Sequence, residues 1–256
     1  MATIPQPADP EKRIIVAGDI HGDLNSFNAI RRLFIPDKDI LIFLGDYADR
    51  GTNSVEVIEG VQELMKSYPE NIIPLKGNHE EFTLEGRPTF SPCTLIREVE
   101  IKRGDWKSYF EELSKNFLER LYLSAIVPKY TLFVHGGISS FINSQDDLIN
   151  PNDLVKESIL WSDPYESKGE YLNPRGAGAL FGTDISDMVT KRLNIKFIIR
   201  SHEPRKAQSG PVIEHNGRVV TVSSTNVYGG KPFVLILPFK DFPDNGNDIK
   251  KYVHFL

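Results

Sequence analysis

The chain has 256 residues, of which 40% are hydrophobic and 25% charged, with a formal net charge of -5. That is the composition of a folded, water-soluble protein, and the length allows a full core without disulfides or other staples. The negative balance argues against a general nucleic-acid or membrane-surface binder, so an anionic substrate would have to meet a local positive site.

Residues 1–12 are polar and rich in proline, which predicts a flexible arm ahead of one domain over 13–256. They carry neither a basic n-region nor an apolar core, and no apolar run approaches the roughly 20 residues of a membrane span. Cys93 is the one cysteine, so no internal disulfide forms, which fits a reducing compartment. The expectation is a cytoplasmic protein without a membrane or nucleic-acid partner. Short β-branched runs predict strands at RIIVAG (13–18), DILIFLG (39–45), NIIPLKG (71–77), TLFVHGG (131–137), KFIIRSH (196–202), RVVTVSS (218–224) and PFVLILP (232–238). Continuous apolar runs of this length suit strands buried on both faces. A helix is predicted from Leu24 to Phe34 with Asp23 as its cap. A second follows from the stripe Val57, Ile58, Val61, Leu64, Met65 and Tyr68, and a third from Trp106, Tyr109, Phe110, Leu113, Phe117 and Leu121. Alternating strands and helices at the front imply βαβ units, and successive strands after residue 196 imply a more antiparallel back half.

The polar residues gather where these strands end. GDIHG supplies Asp19 and His21, GDYADRG supplies Asp46, Asp49 and Arg50, GNHE supplies Asn78, His79 and Glu80, HGG supplies His135, and RSHE supplies Arg200, His202 and Glu203. In open α/β sheets, ligands bind at the carboxyl ends of strands. Carboxylate, imidazole and amide donors suit Mn, Fe or Zn better than a thiolate site would. Asp19, His21, Asp46, Asn78, His135 and His202 are enough for two divalent ions with one aspartate shared. Arg50 and Arg175, each beside a glycine in a loop, offer guanidinium forks that match phosphate oxygens. On this reading Asp46 is the bridge, Arg50 a phosphate clamp and Asp49 the orienter of a catalytic histidine.

The ordered motifs GDIHG, GDYADRG, GNHE, HGG, WSDP, RGAGALFG, RSHE and SSTNVYGG resemble those of the PPP-type serine/threonine phosphoprotein phosphatases, within the calcineurin-like metallophosphoesterase superfamily. The likeness runs from about residue 13 to 238 and is nearest to the compact prokaryotic, especially archaeal, members. It implies an α/β (α+β) fold, two mixed sheets in a sandwich flanked by helices. It also implies two divalent metals, manganese first, with Asp19, His21 and Asp46 on one and Asp46, Asn78, His135 and His202 on the other. His79 would be the general acid, held by Asp49, and Arg50 and Arg175 would bind the phosphoryl group. A metal-bridging hydroxide would attack phosphorus directly, without a phosphoenzyme. Phosphoproteins would be the substrates, and a monomer is expected. One departure stands out: where the eukaryotic enzymes carry a tyrosine in this loop, SSTNVYGG has Val227, with Tyr228 one residue on. Either the loop is re-registered or that contact is absent.

The other candidates read more plainly. His215 and His254 lie in no motif and are expected at the solvated surface. Cys93 reads as a loop residue, Arg200 as the partner of a nearby acid, and the Trp106–Leu121 stripe as core or lid packing. Glu80 either orients a ligand or caps a helix start, the second being preferred. Trp161, Ser162 and Asp163 either rim the site or form a turn. A symmetrical dinucleoside tetraphosphatase shares the first motifs and is the alternative function. A binding scaffold without catalysis is the third reading, disfavoured because every ligand, His79 and both arginines are present.

Overall fold

A computed structural model describes residues 1–256 apart from Ala8. Its strands are β1 (Ala2–Thr3), β2 (Arg13–Ala17), β3 (Asp39–Phe43), β4 (Ile72–Pro74), β5 (Ser124–Val127), β6 (Thr131–Val134) and β7 (Asp163–Pro164). They continue with β8 (Glu170–Leu172), β9 (Ala179–Phe181), β10 (Phe197–Arg200), β11 (Val212–Glu214), β12 (Val219–Thr221), β13 (Phe233–Pro238) and β14 (Val253–Phe255). The helices are α1 (Leu24–Leu33), α2 (Ser54–Ser67), α3 (Leu95–Lys102), α4 (Trp106–Asn116), α5 (Asp146–Ile149), α6 (Asp153–Trp161) and α7 (Thr183–Arg192).

Two mixed sheets lie face to face. One is ordered β14-β13-β2-β3-β4 and the other β1-β5-β6-β10-β12-β11, with a small third sheet β7-β9-β8 beside them. The predicted βαβ units are present: β2, β3 and β4 pair in parallel, with α1 and α2 as crossovers. Asp23 caps α1 as expected, its carboxylate accepting from the Ser26 N–H at 3.1 Å. The back half is mixed: β12 runs parallel to β10, whereas β11, β13 and β14 pair antiparallel.

Strand alternation builds three apolar layers. Ile15 and Ala17 of β2 face the cluster of α1, α2, α3 and α4, while Ile14 and Val16 enter the layer between the sheets. On the other sheet, Phe133 and Phe197 fill that middle layer, and Leu132, Val134 and Ile198 face α6 and α7. Both faces of the central strands are therefore dry, which is why they read as unbroken apolar runs.

Two expectations are corrected here. The 1–12 segment is not a loose arm at its start: Ala2 and Thr3 pair in parallel with Ala125 and Ile126, and Ile4 is buried. An edge strand with an apolar anchor outweighs the disorder its prolines suggest; Ala8 lies outside the described residues. His215 is buried rather than solvated. One ring nitrogen meets the Ser186 hydroxyl at 2.5 Å and the other lies 3.0 Å from the Tyr165 carbonyl, so local hydrogen bonds satisfy it inside. His254 is exposed, as its lack of a motif suggested. Among the described residues, no helix is long and apolar enough to cross a membrane.

Candidate dinuclear metal centre

Five strand ends converge on one place: Asp19 follows β2, Asp46 follows β3, Asn78 follows β4, His135 follows β6 and His202 follows β10. The first three come from one sheet and the last two from the other, so the site sits across the seam between them. A bridge between Asp19 and Ser223 closes that seam. Gly45 and Gly77 allow the loops after β3 and β4 to touch. A Cβ on Gly45 would lie 2.4 Å from the Gly77 nitrogen, and Gly45 itself has φ of 102°.

The site residues hold strained backbone. His21, Asp46, Asp49, Arg50 and His202 have φ between 49° and 69°, a region side-chain-bearing residues seldom occupy. The surrounding hydrogen bonds enforce it. Glu80, buried, accepts from the Asp46, Gly77 and Tyr47 N–H groups at 2.8, 2.9 and 3.0 Å. The preferred reading of Glu80 as a simple helix-start carboxylate is thus corrected: it holds the Asp46 loop as well as its own turn.

The donor atoms face one another without protons to share. His135 Nδ1 donates to the Leu44 carbonyl at 2.9 Å, which leaves Nε2 as a lone pair. That lone pair lies 3.0 Å from Asn78 Oδ1, 3.1 Å from His202 Nδ1 and 3.4 Å from Asp46 Oδ1. His21 is set the same way, with Nδ1 on the Ala48 carbonyl at 2.8 Å and Nε2 lying 3.4 Å from Asp46 Oδ2 and 3.9 Å from Asp19 Oδ2. One Asp46 oxygen thus faces each histidine. Asp19 Oδ1 is occupied by the Ser201 hydroxyl and the His202 N–H, while its buried Oδ2 has no hydrogen-bond partner. Converging buried acceptors of this kind are stable only around cations, so the residues present fit two metal ions.

The electrostatics agree. Burial lowers His21 and His135 to about 4 and His202 well below the usual imidazole range, so all three are neutral donors near pH 7. Burial, with the charges of Asp19 and Glu80, pushes the Asp46 carboxyl well above the ordinary range, which a bound cation would reverse.

By proximity alone, His79 clusters with His21 and Asp46 as readily as a third ligand would. Its hydrogen bonding sets it apart. His79 Nδ1 is 2.7 Å from Asp49 Oδ2. Asp49 Oδ1 accepts from Thr94 N–H at 2.5 Å and Leu95 N–H at 2.9 Å, at the start of α3. Burial works against charge on both groups, yet the hydrogen bond to His79 and those backbone donors hold Asp49 below the usual carboxylate range, and Asp46 and Asp49 raise His79. The carboxylate on Nδ1 favours the charged imidazole and leaves Nε2 facing the cavity.

His21, Asn78, His79 and His202 line a cavity of about 530 Å³ that also takes in Arg50, Arg175, Trp161 and Tyr228. Arg175 is tied by Nε to Asp163 Oδ2 at 2.7 Å, and Asp163 Oδ1 is 2.8 Å from Arg200, which is wholly buried and also pairs with Glu203 at 2.5 Å. Arg200 is therefore an ion-pair partner, as expected, and Asp163 belongs to the support of the site rather than to a simple turn. Tyr228 lines the cavity, with its ring 5.8 Å from that of His21. Cys93 is a partly buried loop residue whose thiol burial pushes up to about 11, far from a nucleophile's range. Sequence reasoning missed Ser201 and the Thr94 and Leu95 amides, because an unremarkable serine and two main-chain donors leave no pattern.

The model of the family "Calcineurin-like phosphoesterase" matches residues 12–206. The chain belongs to this family. The phosphoesterase is 34% identical to a serine/threonine-protein phosphatase of Caenorhabditis elegans over 228 residues, covering 83% of this chain and 47% of the worm protein. It thus spans about half the length of that curated relative. A solved protein serine/threonine phosphatase from Saccharomyces cerevisiae matches with a TM-score of 0.83 and 26% identity, over 100% of this chain and 82% of the yeast chain. A cold-active protein-tyrosine phosphatase of a psychrophilic Shewanella species shares the fold, with a TM-score of 0.60 and 14% identity over 100% of this chain and 82% of its own. The expected fold, two mixed sheets flanked by helices, is the one observed.

Proposed function

We propose that this phosphoesterase is a metal-dependent phosphoprotein phosphatase that hydrolyses phosphoserine and phosphothreonine monoesters. One observation carries the reading: His21, Asn78 and His202 of the metal-fitting set, the His79 imidazole paired with Asp49, and the Arg50 and Arg175 guanidinium groups line a single cavity. The serine/threonine phosphatase names of the worm and yeast proteins support it.

Asp19, His21 and Asp46 would hold one divalent ion, and Asp46, Asn78, His135 and His202 the other. When bound, the ions lower the pKa of water and neutralise phosphoryl charge; oxygen and imidazole donors favour manganese, with iron or zinc as the other choices. The chain's own residues do the rest. Arg50 and Arg175 grip phosphoryl oxygens through N–H donors, and the Asp163 tie aims Arg175. His79, with Nδ1 on Asp49, keeps Nε2 for the leaving alkoxide and delivers its proton there. Asp49 keeps the imidazole charged and fixed. Phosphoproteins would be the partners, and the enzyme would act as a monomer.

The test is turnover of phosphoserine, phosphothreonine and phosphotyrosine peptides and of diadenosine tetraphosphate, before and after chelation and with Mn²⁺ restored. The expected result is metal-restored phosphoserine and phosphothreonine activity. Preferential cleavage of diadenosine tetraphosphate makes the enzyme a dinucleoside tetraphosphatase, and full activity of metal-free protein sinks the metal-dependent reading.

A further inference from the structure

The cations at the cavity mouth are not alike. Arg175 is neutralised by Asp163, and Lys206 by Glu203 at 3.2 Å and Glu214 at 2.7 Å. Arg205 lines the same cavity and is exposed, yet its side chain makes no ion pair or hydrogen bond among the described residues. Instead its guanidinium lies 5.2 Å over the ring of Tyr228, the ring that also meets His21 at 5.8 Å. An aromatic face holds a guanidinium by its plane and leaves the N–H fork free to point elsewhere. The result is a positioned, uncommitted positive fork two ring contacts away from the metal-fitting residues, in a protein of net charge -5.

We infer that Arg205, seated on Tyr228, is a specificity-determining residue that selects phosphopeptides with a carboxylate close to the phosphorylated residue. This rests on the phosphatase reading above. The two ring contacts together reach at most the distance that about three extended residues cover. The matching carboxylate therefore lies within three positions of the phosphoserine or phosphothreonine. A guanidinium takes a carboxylate as a bidentate fork, whereas a neutral amide at that position offers one acceptor and no charge. The pair would be partly exposed, so its effect is modest and screened by salt.

The experiment compares kcat/KM for phosphoserine peptides differing only in Glu against Gln at each of the three positions on either side, with holoenzyme at low and high salt. At one or more positions the wild type should prefer Glu by about three- to five-fold, mostly through KM, and the preference should shrink in high salt. Arg205→Ala should bring the Glu/Gln ratio near one, and Arg205→Glu should invert it in favour of Gln. Tyr228→Phe should keep the ratio, whereas Tyr228→Ala should weaken it, because only the ring face is needed. A wild-type ratio near one at every position, or a ratio unchanged in Arg205→Ala, overturns the inference and leaves the phosphatase reading standing. Failure to hydrolyse any of the phosphopeptides overturns both.

Discussion

Asn78 and His79 are adjacent, yet their side chains are set to different work. Asn78 Oδ1 meets the His135 lone pair at 3.0 Å, while His79 turns to Asp49. A serine alkoxide is a strongly basic leaving group and needs a proton; nitrophenolate needs it far less. General acid catalysis is worth about 10²–10⁴-fold. His79→Asn should therefore slow phosphoserine peptide turnover by about that factor and p-nitrophenyl phosphate turnover much less, with metal content unchanged. Equal losses on both substrates, or an emptied metal site, would make His79 a ligand. Asp46 presents one oxygen toward His21 and the other toward His135. Asp46→Asn should lower metal content per chain more than Asp19→Asn, measured by elemental analysis; equal occupancy in the two variants removes Asp46 from the bridge. At this scale the sequence was informative because each proposed ligand sits beside a glycine or at the end of an apolar run. It misplaced His215 at the surface, because its burial depends on Ser186 and Tyr165, residues 29 and 50 positions away. It also underrated Glu80, because three of its backbone contacts become visible only once the loops are folded together.

Among the elements, the longer strands and the helices α1, α2 and α4 were legible because their periodicity is local, whereas α3, α5, α6 and α7 were not anticipated. β2, β3, β10 and β13 carry unbroken apolar runs, and α2 and α4 carry clear stripes. The small sheet β7-β9-β8 was not, since its strands are two or three residues long and β8 is exposed throughout. Nor was β1, which is held by a partner more than 120 residues away. The small sheet nevertheless has a job: β7 carries Asp163, which joins Arg175 to the buried Arg200. Breaking a buried ion pair on one side costs about 3–5 kcal/mol. Asp163→Asn leaves Glu203 on Arg200, so the lower part of that range applies. Thermal unfolding should fall by roughly 6–12 °C at about 2–4 °C per kcal/mol for a chain near this size. Phosphate-dependent KM should rise as Arg175 loses its tie. A variant with wild-type melting and KM would reduce this network to surface decoration.

For the whole molecule, the seam between the sheets couples protonation to folding. In the metal-free protein His21 and His135 titrate at about 4, against 6.5 for an ordinary histidine. Between those values the unfolded chain binds the extra protons, so these two rings make stability fall as pH drops from about 6.5 toward 4; His202 carries the fall lower, and the raised Asp46 and Glu80 carboxyls oppose it. Urea unfolding of chelated protein across this range tests it, beside a His135→Asn variant: an unchanged pH slope in the variant refutes neutral burial of that ring. Bound metal works in the opposite sense: an ion at about 100 times its Kd adds about 2.7 kcal/mol. The raised His79 sets the alkaline limb instead, so phosphoserine turnover should decline as pH climbs past its titration.

The order of strands also has a consequence during synthesis. β13 lies between β2 and β14, so one edge of RIIVA finds its partner only when Phe233–Pro238 has left the ribosome. At about 5–20 residues per second, the roughly 220 intervening residues take about 10–40 s to make. Throughout that interval the nascent chain offers a bare apolar strand edge, the kind that pairs with neighbouring chains. Chains cut short before residue 233 should therefore appear in inclusion bodies or bound to chaperones, even though they already contain Asp19, His21, Asp46, Asn78, His135 and His202.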